Sequence, residues 1–263
     1  MIERPGFILR GLCIAAACWA SSISAAAIAA GEGTVVSRSQ QMILVISADW
    51  NSSKASLRRF ARIEGQWTPL APAVAVVIGK SGSAWGLGLH SLQPGLQKRE
   101  GDGRAPAGIF AIGPAFGYAK SVSTSLEYQS MTEQDYCIDV SGSPLYNQIV
   151  DAGKVGQEAI VGSTEPMRRD LHAGGDQRYK LGFVIEHNPQ HTPAGGSCIF
   201  AHLWKSADSS TAGCTAMTEP VMRELLGWLN PAKHPLFVLL PSAEYERLHK
   251  AWQLPDFDMD APR

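Results

Sequence analysis

The chain has 263 residues, and its 23 Lys and Arg nearly balance its 24 Asp and Glu, which leaves a formal net charge of −1. This balance argues against the basic surface of a nucleic-acid-binding protein, and we expect no nucleic-acid partner. The length fits one large domain with room for a sizeable core.

The first thirty residues have the pattern of a secretory signal peptide. Arg4 and Arg10 give a positive start, an apolar run follows, and the sequence at 27–29 is an A-x-A cleavage site. We therefore expect export to a periplasm or cell envelope. Lipid attachment at Cys18 is not expected, because the residue three positions before it is a small alanine. No later apolar run reaches the roughly 18 residues that a second membrane span needs.

Eight apolar or alternating segments predict β-strands, and Gly, Pro or polar turns separate many of them. A short polar turn after the second segment is typical of a hairpin. The predicted strands are 41–48, 56–63, 73–78, 85–90, 109–112, 182–186, 198–202 and 236–240.

Two helices are predicted towards the C-terminus. Thr218 is the expected N-cap of the first, whose apolar stripe runs from Val221 to Leu229 and stops before Pro231. A second amphipathic helix is predicted over 243–252. Many strands, few helices and frequent Gly/Pro turns predict a mainly β domain, either a sandwich or a partly open barrel with helices at its side.

Residues 121–181 form the least regular part of the sequence. Their periodicity is weak and many of them are polar. We expect this segment to wrap the surface as a long insertion with short helices.

Three cysteines follow the predicted signal peptide: Cys137, Cys198 and Cys214. In an oxidising compartment an odd number suggests one disulfide and one free thiol. A bond between Cys137 and Cys198 would leave Cys214 free, and two separate buried thiols are the alternative that the sequence leaves open. The chain has no C-x-x-C motif, so a dithiol redox motif and a zinc knuckle are excluded.

Cys214 follows Gly213 and comes twelve residues after His202, which ends a predicted strand. A thiol is a good nucleophile only as a thiolate, and a neighbouring imidazole can accept its proton and lower its pKa. Gly213 leaves room for a ligand to approach the backbone, and the N–H groups of Gly213 and Cys214 are candidate donors to an acyl oxyanion. This pattern predicts acyl transfer by a cysteine enzyme.

Other chemistries find less support in the sequence. His187 and His191 are four residues apart, but Asn188-Pro189 between them prevents the regular helix that a metal-binding pair would need. We expect neither a metal nor an organic cofactor. The charged segment 98–104 is a solvated turn, a rim that meets an ionic substrate, or a wall held by internal salt bridges.

Several of these segments together resemble the L,D-transpeptidase (YkuD-like) domain family. The resemblance rests on Gly196 to His202, on Thr211 to Cys214, and on the charged segment with its Pro-x-Gly-x-Phe turn, Lys98 to Phe110. Tyr146-Asn147 and the helix end at 228–231 are similar to one branch of the family. The likeness covers roughly residues 42–241.

The resemblance implies a β-sandwich fold and bacterial cell-wall chemistry. Such enzymes attack peptidoglycan stem peptides between a diamino acid and a terminal D-alanine, and transfer the acyl group to a neighbouring stem as a 3→3 cross-link or to water. Cys214 would be the nucleophile and His202 the base and later acid. The implied organisation is a signal peptide over 1–30, a catalytic domain over 31–242, and a C-terminal helix and tail over 243–263.

The chain departs from the family pattern after both catalytic positions. Leu203 stands where many members have glycine, and Ala216 where many have an arginine that could hold a substrate carboxylate. Arg99 and Arg104 are candidate replacements for that arginine. The other candidate substrate-binding residues are Thr211, Tyr146 and Asn147.

Two other functions are weighed beside transfer. The same two residues could support hydrolysis, as an L,D-carboxypeptidase or a cross-link-cleaving endopeptidase, because the partition between amine and water depends on the acceptor site. A catalytically silent wall-binding module that keeps the fold is the other alternative.

Overall fold

A computed structural model describes residues 1–2 and 35–257. The predicted signal peptide beyond its first two residues, including Cys18, lies outside the described residues, as does the end of the C-terminal tail. Within the described part, no helix has the length and apolar character to cross a membrane. This part also holds no cluster of three or more His, Cys, Asp or Glu side chains placed to bind a metal.

The described chain is mainly β with a few short helices, as the sequence predicts. Its strands are β1 (Gln41–Ser47), β2 (Lys54–Ile63), β3 (Gln66–Pro69), β4 (Val74–Val77), β5 (Ser83–Trp85), β6 (Ala105–Gly117), β7 (Tyr128–Ser130), β8 (Asp135–Cys137), β9 (Ile149–Asp151), β10 (Glu165–Pro166), β11 (Leu181–Ile185), β12 (Phe200–Leu203), β13 (Thr215–Met217) and β14 (Leu236–Pro241). Its helices are α1 (Ala152–Val155), α2 (Arg169–His172), α3 (Glu219–Trp228) and α4 (Ser242–Leu248), beside a helical turn at 35–38 and 3₁₀ turns at Gln157–Ile160, Arg178–Lys180 and Pro231–Lys233.

The strands of the main sheet pair in a closed ring. The order β1-β14-β6-β11-β12-β13-β4-β2 returns to its start, because β1 pairs in parallel with β14 and antiparallel with β2. These strands therefore form one continuous, closed sheet, whereas a sandwich would have two separate sheets. Closure of this kind removes the exposed edges of the strands involved.

Residues alternate between two faces of the sheet around β11, β12 and β13. The core face carries Phe183, Ala201, Leu203 and Met217, which pack into the main hydrophobic core. The opposite face, which we call the covered face, carries Phe200 and other side chains that pack in a second cluster. Helix α4 and the residues after it, among them Trp252 and Phe257, also pack into the main core, so the C-terminal helix is part of the same hydrophobic unit as the sheet.

Residues 118–180, which we call the insertion, cover this second face. They contain a separate three-stranded sheet in the order β10-β8-β9, with the short helices α1 and α2. Met131, Cys137, Met167 and Tyr179 of the insertion pack in the second cluster beside Phe200. Short helices lie in this segment, as the sequence predicts for residues 121–181, and its contacts make it a cover over one part of the sheet.

Most predicted elements are present with shifted ends. Helix α3 starts at its predicted N-cap, where Thr218 Oγ1 accepts from Val221 N at 3.5 Å. Helix α4 ends at Leu248, before the predicted end at 252. Strand β12 begins at Phe200, because Cys198 has a φ of 55°, which extended strands do not adopt. The predicted strand 85–90 is wrong beyond Trp85, where β5 ends.

Candidate active site

Strands β12 and β13 place His202 and Cys214 on the covered face. The two strands pair in parallel with Ala201 opposite Thr215 and His202 opposite Ala216. Cys214 therefore lies one strand away and two residue positions back from His202, with its side chain on the same side of the sheet. With strands about 4.8 Å apart and a rise of about 3.3 Å per residue, the two Cα atoms are roughly 8 Å apart. Two side chains of this length can bridge such a gap.

The thiol of Cys214 contacts backbone atoms of the segment that leads into β12. Phe200 N donates to Cys214 Sγ at 3.3 Å, and the thiol donates to Cys198 O at 3.5 Å. Both partners would stay in place during chemistry, because they belong to the main chain. The Phe200 N–H favours a negative charge on sulfur, whereas the Cys198 carbonyl favours the protonated thiol.

The imidazole of His202 is held by its own strand and by an aromatic neighbour. Its Nδ1 lies 2.8 Å from Leu203 O, so Nδ1 carries the proton and Nε2 is the basic nitrogen. The ring of Tyr179 packs edge-on against it, with 5.3 Å between ring centroids. A main-chain carbonyl thus occupies the position that an aspartate takes in a Ser-His-Asp triad. Among the described residues, no hydrogen bond joins the imidazole to the Cys214 thiol.

Burial keeps both groups neutral in this structure. It raises the pKa of the Cys214 thiol to about 12, and the negative charge of Glu165 acts in the same direction. It lowers the pKa of His202 to about 4. In this structure burial thus acts against the lowered thiol pKa that the sequence argument expects from a neighbouring imidazole.

The turn before Cys214 is fixed by Thr211. Its hydroxyl donates to Cys214 O at 2.6 Å and accepts from Gly213 N at 3.1 Å. The prediction that the Gly213 N–H is a free oxyanion donor is therefore corrected, since this N–H already has a partner. Thr211 acts here by holding the turn. A Cβ at Gly213 would lie 3.0 Å from Arg104 O, so close backbone approach explains the glycine.

Two cavities lie near His202 and Cys214, which we call the dyad; His202 lines the second cavity, and Cys214 lines neither. The first, of about 360 Å³, lies between the sheet and the insertion and is lined by Phe116, Val184, Glu186 and Phe200 from the sheet and by Met131 and Ile149 from the insertion. We call it the covered cavity. The second, of about 340 Å³, is lined by Arg178, His202, Trp204, Lys205, Thr211 and Ala216. We call it the Arg178 groove.

The two arginines expected to replace the family arginine do not reach these cavities. The Arg104 guanidinium donates to Trp50 O at 2.9 Å, to Ser83 O at 3.0 Å and to Asn51 Oδ1 at 3.1 Å. Arg99 is exposed and lines neither cavity. The charged segment is instead a wall held by internal salt bridges, one of the three predicted alternatives, and its buried ion pair is Lys98 with Asp102 at 2.6 Å.

Tyr146 and Asn147 hold the segment that precedes β12. Tyr146 donates to Glu100, whose carboxylate also accepts from Ser197 Oγ at 2.6 Å. Asn147 Oδ1 accepts from Cys198 N at 2.8 Å. The Tyr146 hydroxyl is buried and used internally, so its predicted contact with substrate is corrected to a positioning role. Asn147 lines the covered cavity, although its side chain is also engaged in these contacts.

A disulfide joins the insertion to the site. Cys137 of β8 is bonded to Cys198, and Cys214 is the free cysteine of the described residues. The carbonyl of Cys198 is also the acceptor for the Cys214 thiol. The disulfide therefore attaches the insertion to the segment whose carbonyl accepts from the Cys214 thiol.

Sequence reasoning missed three charged residues in the cavities. Arg178 lines the Arg178 groove and forms an ion pair with Asp176 at 2.5 Å, and Lys205 of the same groove lies 3.7 Å from that carboxylate. Glu186 lines the covered cavity. None of them lies in a motif, and only the position of Glu186 at the end of a predicted strand could have drawn attention to it.

The comparisons with known proteins add no relative. No family model matches the chain, and neither a curated protein nor a solved structure matches it. The arrangement of residues alone therefore carries the functional argument.

Proposed function

We propose that this chain is an exported cysteine acyltransferase of the L,D-transpeptidase type, acting on peptidoglycan stem peptides. The observation that carries the proposal is the placement of Cys214 and His202 on one sheet face, with His202 lining the Arg178 groove. The covered cavity is formed beside Phe200, whose N–H contacts the Cys214 sulfur. The signal-peptide pattern over 1–30 supports export. The resemblance of the segments around both residues to that family supports the reaction type.

The chemistry would proceed in two steps. The Cys214 sulfur attacks the carbonyl carbon of the diamino acid, while His202 Nε2 accepts the thiol proton and returns it to the departing amine of D-alanine. An amine of a second stem then attacks the thioester, His202 accepts a proton from that amine, and the proton returns to sulfur. The Cys214 N–H stays our candidate oxyanion donor, and the Phe200 N–H stabilises charge on sulfur.

The neutral resting state requires that the proton move as the sulfur attacks. With the pKa of the thiol at about 12 and that of His202 at about 4, the thiolate–imidazolium pair is scarcely populated before substrate binds. Catalytic hydrogen bonds are often long in free enzymes and shorten in the substrate complex. Substrate entry under the insertion would bring the imidazole and the thiol together.

The carboxylate end of the substrate would lie in the Arg178 groove. Arg178 and Lys205 bring two positive charges to this groove and share Asp176, whose side chain is 5% exposed. Asp208 also lines this groove and pairs with Lys54 at 2.7 Å. A terminal D-alanine carboxylate beside His202 would share Arg178 and Lys205 with Asp176. Arg178 therefore takes the place that we first gave to Arg99 and Arg104.

The test is the digestion of purified sacculi and soluble muropeptides with wild type and Cys214→Ala, read by mass spectrometry. Cross-linked dimers from the wild type alone would support transfer, and shortened stems would show hydrolysis by the same dyad. Equal products from both proteins would contradict the proposal.

The buried neutral dyad favours one second candidate, a catalytically silent wall-binding module. Such a module would bind sacculi equally well with and without Cys214 and would give no products. A pull-down of both proteins with sacculi, run beside the product analysis, separates the two functions.

A further inference from the structure

Glu186 stands out among the acidic residues near the dyad because it has no direct cationic partner among the described residues. It is half buried and lines the covered cavity, yet within residues 35–257 no hydrogen bond or ion pair holds its carboxylate. The carboxylates of Glu165, Asp176 and Glu219, by contrast, are each paired with an arginine or a lysine. A partly desolvated carboxylate without a partner in the protein can accept hydrogen bonds from a bound cation.

A bulge in the neighbouring strand explains why the carboxylate has no partner in the protein. The pairing of β6 with β11 shifts register between Phe183 and Ile185, which leaves one extra residue on the β6 side. Gly113 and Pro114 lie in this bulge. A Cβ at Gly113 would lie 2.1 Å from Glu186 Oε1, so the glycine makes room for the carboxylate, and Pro114 has no N–H to donate.

The remaining groups of the cavity leave its charge negative. His187 is neutral near pH 7, because burial lowers its pKa to about 4. His191 is exposed at the rim, where its charge acts on Glu186 and lowers the pKa that burial raises. The other lining residues are uncharged. A small cation would therefore be favoured in this cavity, whereas an anion would be repelled.

The sheet geometry relates Glu186 to the nucleophile. Val184 pairs with Phe200, and Phe200 N contacts Cys214 Sγ, so Glu186 lies on the covered face two strands and two residues away from the sulfur. This offset corresponds to roughly 12 Å between Cα atoms. A substrate side chain of about four carbons that ends in an amine could bridge this distance between the Glu186 carboxylate and the Cys214 thiol.

Resting on the proposed function, we infer that Glu186 binds the side-chain ammonium of the diamino acid that donates the acyl group. The covered cavity would then be the specificity subsite for a primary ammonium, and the Arg178 groove would receive the carboxylate at the other end of the substrate. The substrate would thus bind with its positive end under the insertion and its negative end beside His202.

The test measures binding separately from turnover. In a Cys214→Ala background, calorimetry compares a stem tetrapeptide with a free side-chain amine and the same peptide with that amine acetylated. We expect the free amine to bind at least about tenfold more tightly, as one charge-assisted hydrogen bond requires. Glu186→Gln should bind both peptides equally, whereas Glu127→Gln, which removes an exposed carboxylate from the insertion, should keep the preference.

Equal binding of the two peptides by the Cys214→Ala protein, or binding of neither, would overturn the subsite. A preference that survives Glu186→Gln would overturn it as well. Its failure is distinguishable from that of the proposed function, because a carbapenem-type lactam without an ammonium group should acylate Cys214 in wild type and in Glu186→Gln alike. Acylation of Cys214 without a preference for the free amine would support the proposed enzyme and refute the ammonium subsite.

Discussion

The two faces of the sheet around β11, β12 and β13 are built for different purposes. The core face carries mainly apolar side chains, such as Phe183 and Met217, which pack within one continuous hydrophobic core. The covered face mixes aromatic rings with a thiol and an imidazole, and a disulfide ties its cover in place. The same short strands thus contribute to the hydrophobic core on one side and carry the proposed catalytic residues on the other. Substitutions on the two faces should therefore separate the loss of activity from the loss of fold.

The largest expected effect is on the covered face, at the proposed base. His202→Gln should lower kcat/KM by about a thousandfold, because positioned proton transfer contributes this much. Leu203→Met, one residue along on the core face, conserves volume and should cost less than about 1.5 kcal/mol without loss of turnover. Steady-state kinetics and chemical denaturation of both variants would check this contrast. Equal losses of activity in both variants would contradict the assignment of different roles to the two faces.

Removal of the disulfide should affect both faces through the cover. A Cys137→Ala/Cys198→Ala double variant should lose about 4 kcal/mol of unfolding free energy, because the bond closes a separation of 61 residues. Activity should fall too, since the disulfide anchors the segment whose residue 198 carbonyl accepts from the Cys214 thiol. Urea denaturation with and without reductant gives the measurement. Reductant should destabilise the wild type and leave the double variant unchanged; a loss below about 1 kcal/mol would count against this role.

Acid should destabilise the protein through its buried histidines. The pKa values of His187 and His202 fall from 6.5 to about 4 on folding. Between pH 6.5 and 4 the unfolded chain therefore binds protons that the folded protein does not bind. The free energy of unfolding is highest above pH 6.5 and declines as the pH falls towards 4. Each histidine accounts for at most about 3 kcal/mol of this decline. Denaturation between pH 7 and 4 should show a smaller decline for His202→Gln; equal slopes would refute the assignment for His202.

The smallest effect concerns the thiol itself. With its pKa raised to about 12, Cys214 should react with iodoacetamide slowly at neutral pH. The rate should rise about tenfold per pH unit between pH 7 and 9, because only the thiolate reacts. A mass-spectrometric time course at each pH gives the rates, with Cys214→Ser as the blank. A rate that reaches a plateau near neutral pH would instead show that Cys214 is already a thiolate, paired with a protonated His202.

Much of the core face follows from the sequence, and much of the covered face does not. The strands at Gln41–Ser47 and Leu236–Pro241 are continuous apolar runs, which local pattern identifies well. The residues of the insertion are held by a disulfide and by distant ion pairs, which leave no periodicity. The hydrogen bond from Gly213 N to the Thr211 hydroxyl could have been predicted from the sequence, because a Thr hydroxyl commonly accepts from the N–H two residues later.

Residues near the dyad divide in the same way. His202 and Cys214 were identifiable from residue type and spacing, since a strand end and a Gly-Cys turn are local features. The burial that sets their pKa values comes from Tyr179 and the rest of the cover, which no local pattern places there. Arg178 and Glu186 become candidates only once the chain is folded, because their significance lies in the cavities that they line.

The most direct test of the central claim is the mass of the protein after incubation with a carbapenem-type lactam. The account predicts one adduct, located by peptide mapping on Cys214, with none in Cys214→Ser and a much slower reaction in His202→Gln. The Met217→Leu variant on the core face should acylate as fast as the wild type. A wild-type protein that forms no adduct, or one that is modified equally after loss of Cys214, would contradict the account.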